Sequence, residues 1–427
     1  MSFNPLPEKF RKLDFEQRRG LIRSAYAPEE EEWRAISADP DLDSISDIMV
    51  ESAIGSVPIP LGIASGFLID GQEVNIPMAV EEPSVIAAAS FAAKIIRQGG
   101  GLSTWAEDSV MTAQIFLEDA PEGAESRLRQ SEGSLAALVD SAQPAMKARG
   151  GGYRGIELTR LPESGVVVVG LRIDVRDAMG ANALNTAAET LKPELERLSG
   201  GKALMCILSN AARQRRAGAR FALPVSRLAA LGPQGMNGQE VARRIVLASR
   251  IAQEDEQRAI THNKGIMNGI SALVLATMND TRAVEAAAHA WAGRSGRYRS
   301  LSSFAVEEQK LIGAIELPLA VGSLGGAVNF HPASRLALRI LGFPGAQRLS
   351  RIAAALGLSQ NFAAVLALVT GGIQRGHMKY HAARLAFSAG ARGEEVRKVA
   401  DALAEGSSNR MEEAQRLLEQ LRREKDG

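Results

Sequence analysis

Four short apolar runs with β-strand character, Ile156–Leu161, Val166–Val175, Ala203–Leu208 and Phe221–Val225, cluster in one stretch of a chain that is otherwise alanine-rich and helix-prone. This clustering is the tightest constraint on the fold. Short apolar runs must pair into a sheet and bury a face, and the stretches between them, roughly 126–148 and 180–198, carry helical patterning. The pattern predicts a small α/β layer with an antiparallel or mixed sheet, over about residues 110–220. Helical patterning on both sides, without a Pro/Ser-rich linker, predicts that this layer is inserted into a larger, mainly helical unit. A chain of 427 residues is long enough for two or three such units.

Phe67–Ile76 reads as a hairpin turning at Asp70-Gly71. The run from Pro83 to Ile96 begins a helix with proline in its first turn. It is apolar nearly all round and is expected to be a central, buried helix. The acidic run Glu29–Glu32 reads as a solvated helix start, and the charged C-terminal stretch as an amphipathic helix. The 50 basic and 49 acidic residues nearly cancel, so no nucleic-acid footprint is expected. No apolar run reaches the roughly 18 residues of a membrane span, and the N-terminus has no secretory pattern. The expectation is a cytoplasmic chain with no membrane partner. The single cysteine, Cys206, lies in an apolar run and reads as a small buried hydrophobe.

The stretch Arg258-Ala-Ile-Thr-His-Asn-Lys-Gly-Ile-Met-Asn-Gly269, followed by Asn279-Asp280, carries the most chemistry. Lys264 and Asp280 flank the apolar run Ile270–Met278, and a cation beside an acid in a closed site stabilises a developing oxyanion. Glu81-Glu82-Pro83-Ser84 places carboxylates at a helix start, either as dipole partners or as an acid near Lys264. Gly150–Gly155 matches G-x-G-x-x-G literally, but a helix precedes it and a strand follows, the reverse of a dinucleotide fingerprint. Asp177–Asn182 follows a strand and opens a helix with small residues. It is either a backbone cradle for a pyrophosphate or an ordinary helix start capped by Asp177. His377 and His381 are four apart, but no third ligand accompanies them, so no metal is expected.

Five of these segments, in order, resemble class II hydroxymethylglutaryl-CoA reductases: Glu81–Ser84, Asp174–Asn182, Thr261–Gly269, Asn279-Asp280 and Gln374–Met378. The resemblance runs from about Glu51 to Ala391. It implies an α+β multidomain fold: a large substrate and CoA-binding domain (1–109 and 211–371), a small non-Rossmann cofactor domain (110–210) and a helical C-terminal flap (372–427). It also implies an NADH- or NADPH-dependent oxidoreductase interconverting hydroxymethylglutaryl-CoA with mevalonate and coenzyme A. The matching catalytic positions are Glu82, Lys264, Asp280 and His377, with Asp280 coupling Glu82 to Lys264. Ser84 and Arg258 are implied to bind substrate. Asp177, Ala178, Met179, Gly180, Ala181 and Asn182 are implied to line the cofactor site, with Asn210 and Asn268 nearby. The family forms homodimers with interfacial active sites, and some members form hexamers.

Some positions depart from the family's pattern. Glu51-Ser-Ala-Ile-Gly55 replaces Glu-Asn-Val-Ile-Gly, and Asn329-Phe330 replaces the threonine-lysine that usually precedes His331. Gln143 stands where NADH-preferring relatives carry an acid against the adenosine ribose. A neutral amide does not repel a 2′-phosphate, which predicts that NADPH is accepted. Two other readings share these residues: a Schiff-base lyase acting through Lys264, and an inactive CoA-binding protein.

Overall fold

The computed structural model describes residues 10–26, 30–35, 40–233, 236–371, 382–405 and 410–426. The strands are, in chain order, β1 (Leu61–Ile69), β2 (Gln72–Ala79), β3 (Leu102–Ala106), β4 (Val110–Glu118), β5 (Gly152–Arg160), β6 (Val167–Asp174), β7 (Lys202–Ser209), β8 (Arg216–Pro224), β9 (Ser302–Glu307) and β10 (Lys310–Pro318). They form two sheets, one six-stranded in the order β2-β1-β3-β8-β10-β9 and one four-stranded in the order β5-β6-β4-β7. The smaller sheet is antiparallel throughout. The larger one is mixed, because β1 and β3 run parallel. The β1–β2 hairpin turns at Asp70-Gly71 as its sequence predicts.

One strand falls in the other sheet. The run Phe221–Val225, grouped by sequence with the small α/β layer, belongs to β8, which pairs with β3 and β10 of the larger sheet. Phe221 there packs against Phe304 and Phe362, and this aromatic cluster ties the sheet to the long helix Ala346–Val369.

That long helix is the centre of the molecule. Of its 24 residues, 17 are buried, so its burial runs all the way round. It is also long and apolar enough to cross a membrane by length and composition, but most of it is buried in the protein. This corrects the reading that no run reaches spanning length. The helix Val85–Arg97 buries one face through Val85, Ala89, Ala92, Ala93, Ile95 and Ile96. Its Phe91 is 49% exposed, so all-round apolar composition does not bring all-round burial within this chain.

The helix Glu256–Ala276 lies against the long helix. Gly357 makes the close approach possible, since a Cβ there would sit 2.6 Å from Ile270 Cδ1. A second core forms between the small sheet and the helices around Leu128, Leu135, Leu184 and Leu191. A third joins the C-terminal helices, 382–388, Glu394–Glu405 and Met411–Asp426, through Val399, Leu403 and Leu418. Cys206, on edge strand β7, is only partly buried.

Candidate active site

A cleft of about 360 Å³ opens where the helices Val85–Arg97, Glu256–Ala276 and Ala346–Val369 meet. Arg258, Thr261, His262, Gly265 and Asn268 line it, following the three- and four-residue spacing of one helix face. Asp255 starts this helix by accepting the Arg258 amide at 2.7 Å. Gln360 and Asn361 face it from the long helix, and Glu82 and Ser84 close one end.

Lys264 Nζ donates to Glu82 Oε2 at 2.9 Å, and Asn268 Nδ2 donates to the same oxygen at 3.3 Å. Two residues 182 positions apart thus form an ion pair at the mouth of the cleft. Asn268, expected near the cofactor, is a partner of Glu82 within this chain. Ser84 holds φ at 72°, the left-handed region, and its hydroxyl does not cap the helix it precedes. A serine in that conformation is strained by about 1–3 kcal/mol. Its Oγ is buried and has no partner among the described residues. The Arg258 side chain makes no ion pair or hydrogen bond with any described residue, and burial lowers its pKa. Arg258 and Ser84 line the same cleft, and a guanidinium with a hydroxyl is a donor set that suits a carboxylate.

Asp280 is not in this cleft. It caps the helix Thr281–Ala292, accepting the amides of Arg282 and Ala283 at 3.0 and 3.1 Å, and pairs with the Arg282 side chain. Burial works to raise its pKa, but the Ala283 amide and Arg282 outweigh it and hold the carboxyl below the usual aspartate value. Lys264 lies in the middle of the helix that ends at Ala276. The helix between them is about 18 Å long at about 1.5 Å per residue. The expected coupling of Glu82 to Lys264 through Asp280 is therefore absent within one chain, and the two bond directly.

Asp280 follows a residue that is tied to the segment Asp177–Asn182. Its neighbour Asn279 exchanges two hydrogen bonds with Gly322, at 2.7 and 3.0 Å. Gly322 is pressed so closely on the segment that a Cβ would lie 2.4 Å from Met179 N. Arg215, which the sequence reading missed, is buried and donates to the carbonyls of Met179 (3.0 Å), Ala178 (3.1 Å) and Val321. Asp177 does not cap the helix that follows. Its Oδ1 accepts the Ala346 amide at 2.8 Å, at the start of the long helix.

The helix Ala181–Ser199 therefore begins at Gly180 with no side-chain cap, which leaves its first amides for an anion. Asn182 is exposed at this end. Gln143 lies alongside, its Nε2 donating to the Ala183 carbonyl, and its Oε1 is buried without a partner among the described residues. Asn210 is exposed on the turn after β7.

His377 and His381 lie outside the described residues, as does the segment Gln374–Met378. The helix 382–388 that follows reaches the cleft's rim, where Arg384 donates to the Glu81 carbonyl at 3.1 Å. Among the described residues no cluster of three or more His, Cys, Asp or Glu side chains could hold a metal ion.

The profile of the family described as hydroxymethylglutaryl-coenzyme A reductase matches residues 14–382. The 3-hydroxy-3-methylglutaryl-coenzyme A reductase of Archaeoglobus fulgidus is 42% identical over 418 residues, covering 97% of this chain and 94% of that protein. The probable reductase of Borreliella burgdorferi is 36% identical over 333 residues, covering 78% of this chain and 76% of that protein. Among solved structures, the class II reductase of Streptococcus pneumoniae bound to NADPH in open conformations superposes with a TM-score of 0.75 at 38% identity. The match covers 96% of this chain and all (100%) of that one.

Proposed function

From the premise that this chain belongs to the hydroxymethylglutaryl-coenzyme A reductase family, in its class II branch, we propose a role for each group in the cleft. The enzyme interconverts 3-hydroxy-3-methylglutaryl-CoA and mevalonate plus coenzyme A, in mevalonate and isoprenoid metabolism. A reduced nicotinamide cofactor supplies a hydride in each of two successive reductions. The first converts the thioester to a thiohemiacetal, which expels CoA to give an aldehyde. The second converts the aldehyde to a primary alcohol.

Arg258 and Ser84 anchor the acyl carboxylate. Lys264 holds the carbonyl oxygen as charge develops on it, first in the thioester and then in the aldehyde. Glu82 delivers the proton that turns the final alkoxide into an alcohol. His377, by the family's pattern, protonates the departing thiolate. The observation that carries this reading is the Lys264–Glu82 ion pair sharing one cleft with the guanidinium of Arg258, which has no partner among the described residues. Schiff-base chemistry would need the neutral amine of Lys264, whereas Lys264 stands in an ion pair.

The position of Asp280 supports a homodimer as the working unit. Asn279, the neighbour of Asp280, is bonded to Gly322, which packs on the segment Asp177–Asn182, while Glu82 pairs with Lys264 midway along the helix Glu256–Ala276. A second copy presenting its Asp280 and cofactor segment to this cleft completes the set; whether dimers assemble further into hexamers is read from solution mass.

The uncapped helix start at Gly180 receives the cofactor's pyrophosphate, and Gln143 faces its ribose. Gln143 leaves room for a 2′-phosphate without like-charge repulsion, so NADPH is accepted at least as well as NADH. The experiment follows reduced-cofactor absorbance with hydroxymethylglutaryl-CoA, and in reverse with mevalonate and CoA, using both cofactors. Two cofactors are consumed per mevalonate formed. No turnover in either direction with either cofactor removes the assignment, and a strong NADH preference removes the part given to Gln143.

A further inference from the structure

His262 has no part in the scheme above, yet it forms the floor of the same cleft, two residues before Lys264 and 2% exposed. Its Nε2 lies 2.7 Å from Ser302 Oγ. The Ser302 hydroxyl is committed elsewhere, donating to Asn361 Oδ1 at 2.8 Å. A hydroxyl has one proton, so the proton between His262 and Ser302 belongs to the imidazole Nε2. In a neutral ring this leaves Nδ1 as a bare lone pair. Burial, reinforced by the charge of Arg258, pushes the imidazole pKa down to about 3, so the ring is neutral at any working pH. Nδ1 is buried and has no hydrogen-bond partner among the described residues.

An orphaned buried acceptor calls for an explanation, and a ligand's donor is one. The acyl group of the substrate presents three polar features to the cleft. Its carboxylate needs donors, which Arg258 and Ser84 supply. Its thioester oxygen needs a donor, which Lys264 supplies. Its tertiary hydroxyl is the one group that brings a proton and needs an acceptor. Gln360 Oε1 is also unpartnered among the described residues, but it stands on the long helix and not on the helix that carries Arg258 and Lys264. The His262 lone pair is held in direction by the Ser302–Asn361 relay.

Resting on the functional reading above, we propose that His262 Nδ1 accepts the hydrogen bond of the substrate's tertiary hydroxyl. His262 is then the residue by which the enzyme selects a 3-hydroxy-3-methylglutaryl thioester over its 3-deoxy counterpart. A site that hydrogen-bonds a substrate hydroxyl discriminates against the analogue lacking it, because the buried partner is then left unpaired.

The test compares His262→Gln with His262→Asn. Glutamine places its amide where Nε2 was and leaves nothing at Nδ1, while asparagine keeps a polar atom at Nδ1. The readouts are kcat/KM for hydroxymethylglutaryl-CoA and the inhibition constant of 3-methylglutaryl-CoA. H262Q lowers kcat/KM by roughly 10- to 100-fold and leaves the analogue's inhibition constant within about twofold, and H262N recovers part of the loss. Parallel losses for substrate and analogue would mean a structural role and overturn the proposal. If neither variant folds, nitrogen-15 NMR of the wild-type imidazole decides. Mevalonate shifts the Nδ1 resonance and 3-deoxymevalonate does not; a proton found on Nδ1, or equal shifts, overturns it. A wild-type enzyme silent with hydroxymethylglutaryl-CoA removes the functional reading and this proposal together. An active wild type with parallel losses removes this proposal alone.

Discussion

Lys264→Ala is expected to lower kcat by about a thousandfold or more while the protein stays folded. The Lys264 side chain is 61% exposed and its partner Glu82 37%, so the ion pair contributes little to stability. The unfolding midpoint should move by no more than about 2 °C. The catalytic loss is large because the ammonium has to meet charge that exists only during hydride addition, and nothing else described in the cleft replaces it. Arg258 is the group we propose for the carboxylate, and Asn268 bonds to Glu82. Because the loss lies in the transition state, kcat falls more than the substrate's KM changes. Residual turnover within tenfold of wild type would show that Lys264 is not the electrostatic centre.

The same variant tests the dimer. If Asp280 comes from the second copy, chains carrying Lys264→Ala and chains carrying Asp280→Asn complement one another. Each mixed dimer then holds one intact site, and random mixing restores about a quarter of wild-type activity. No recovery on mixing would mean that Lys264 and Asp280 act within the same chain, against the helix that separates them.

What the sequence made legible was local. The Asp70-Gly71 turn, the helical stretches 126–148 and 180–198 and the three apolar runs that became β5, β6 and β7 follow from periodicity and turn chemistry. The motif residues were also legible, and the fold brings Glu82 and Lys264 into contact. What escaped was long-range. Asp177 has the form of an N-cap for the next helix, yet its carboxylate caps one 169 residues away. Phe221–Val225 has strand patterning, but no periodicity says which sheet will take it. Arg215 has no motif; its only signal is a basic cluster, Arg213-Gln-Arg-Arg216, entering an apolar strand. His262 lies inside a quoted motif, but its significance depends on Ser302 and Asn361, which only the fold assembles.

Arg215→Met should raise the KM for the reduced cofactor at least tenfold while leaving the KM for hydroxymethylglutaryl-CoA within about twofold. Burial pushes the Arg215 pKa down to about 10, against the opposing pull of Asp174 and Asp177, so the guanidinium is still charged at neutral pH. It serves three carbonyls, those of Ala178, Met179 and Val321, and methionine serves none. Leaving such groups unpaired in a buried site costs about 3–5 kcal/mol. The strain falls on the segment Asp177–Gly180, not on the substrate cleft, whose residues stand on other helices. Arg215→Lys keeps the charge but cannot fork to three acceptors, so it should lie between methionine and wild type. Varying both substrates in steady-state assays, with direct cofactor titration, separates the outcomes. Equal increases in both KM values would point to general loosening, and an unchanged cofactor KM would detach the segment from cofactor binding. Because Met179 presses on Gly322, and Gly322 is bonded to Asn279, a displaced cofactor segment shifts Asp280 with it. Arg215→Met should therefore lower kcat as well, in a protein whose Glu82–Lys264 pair is untouched.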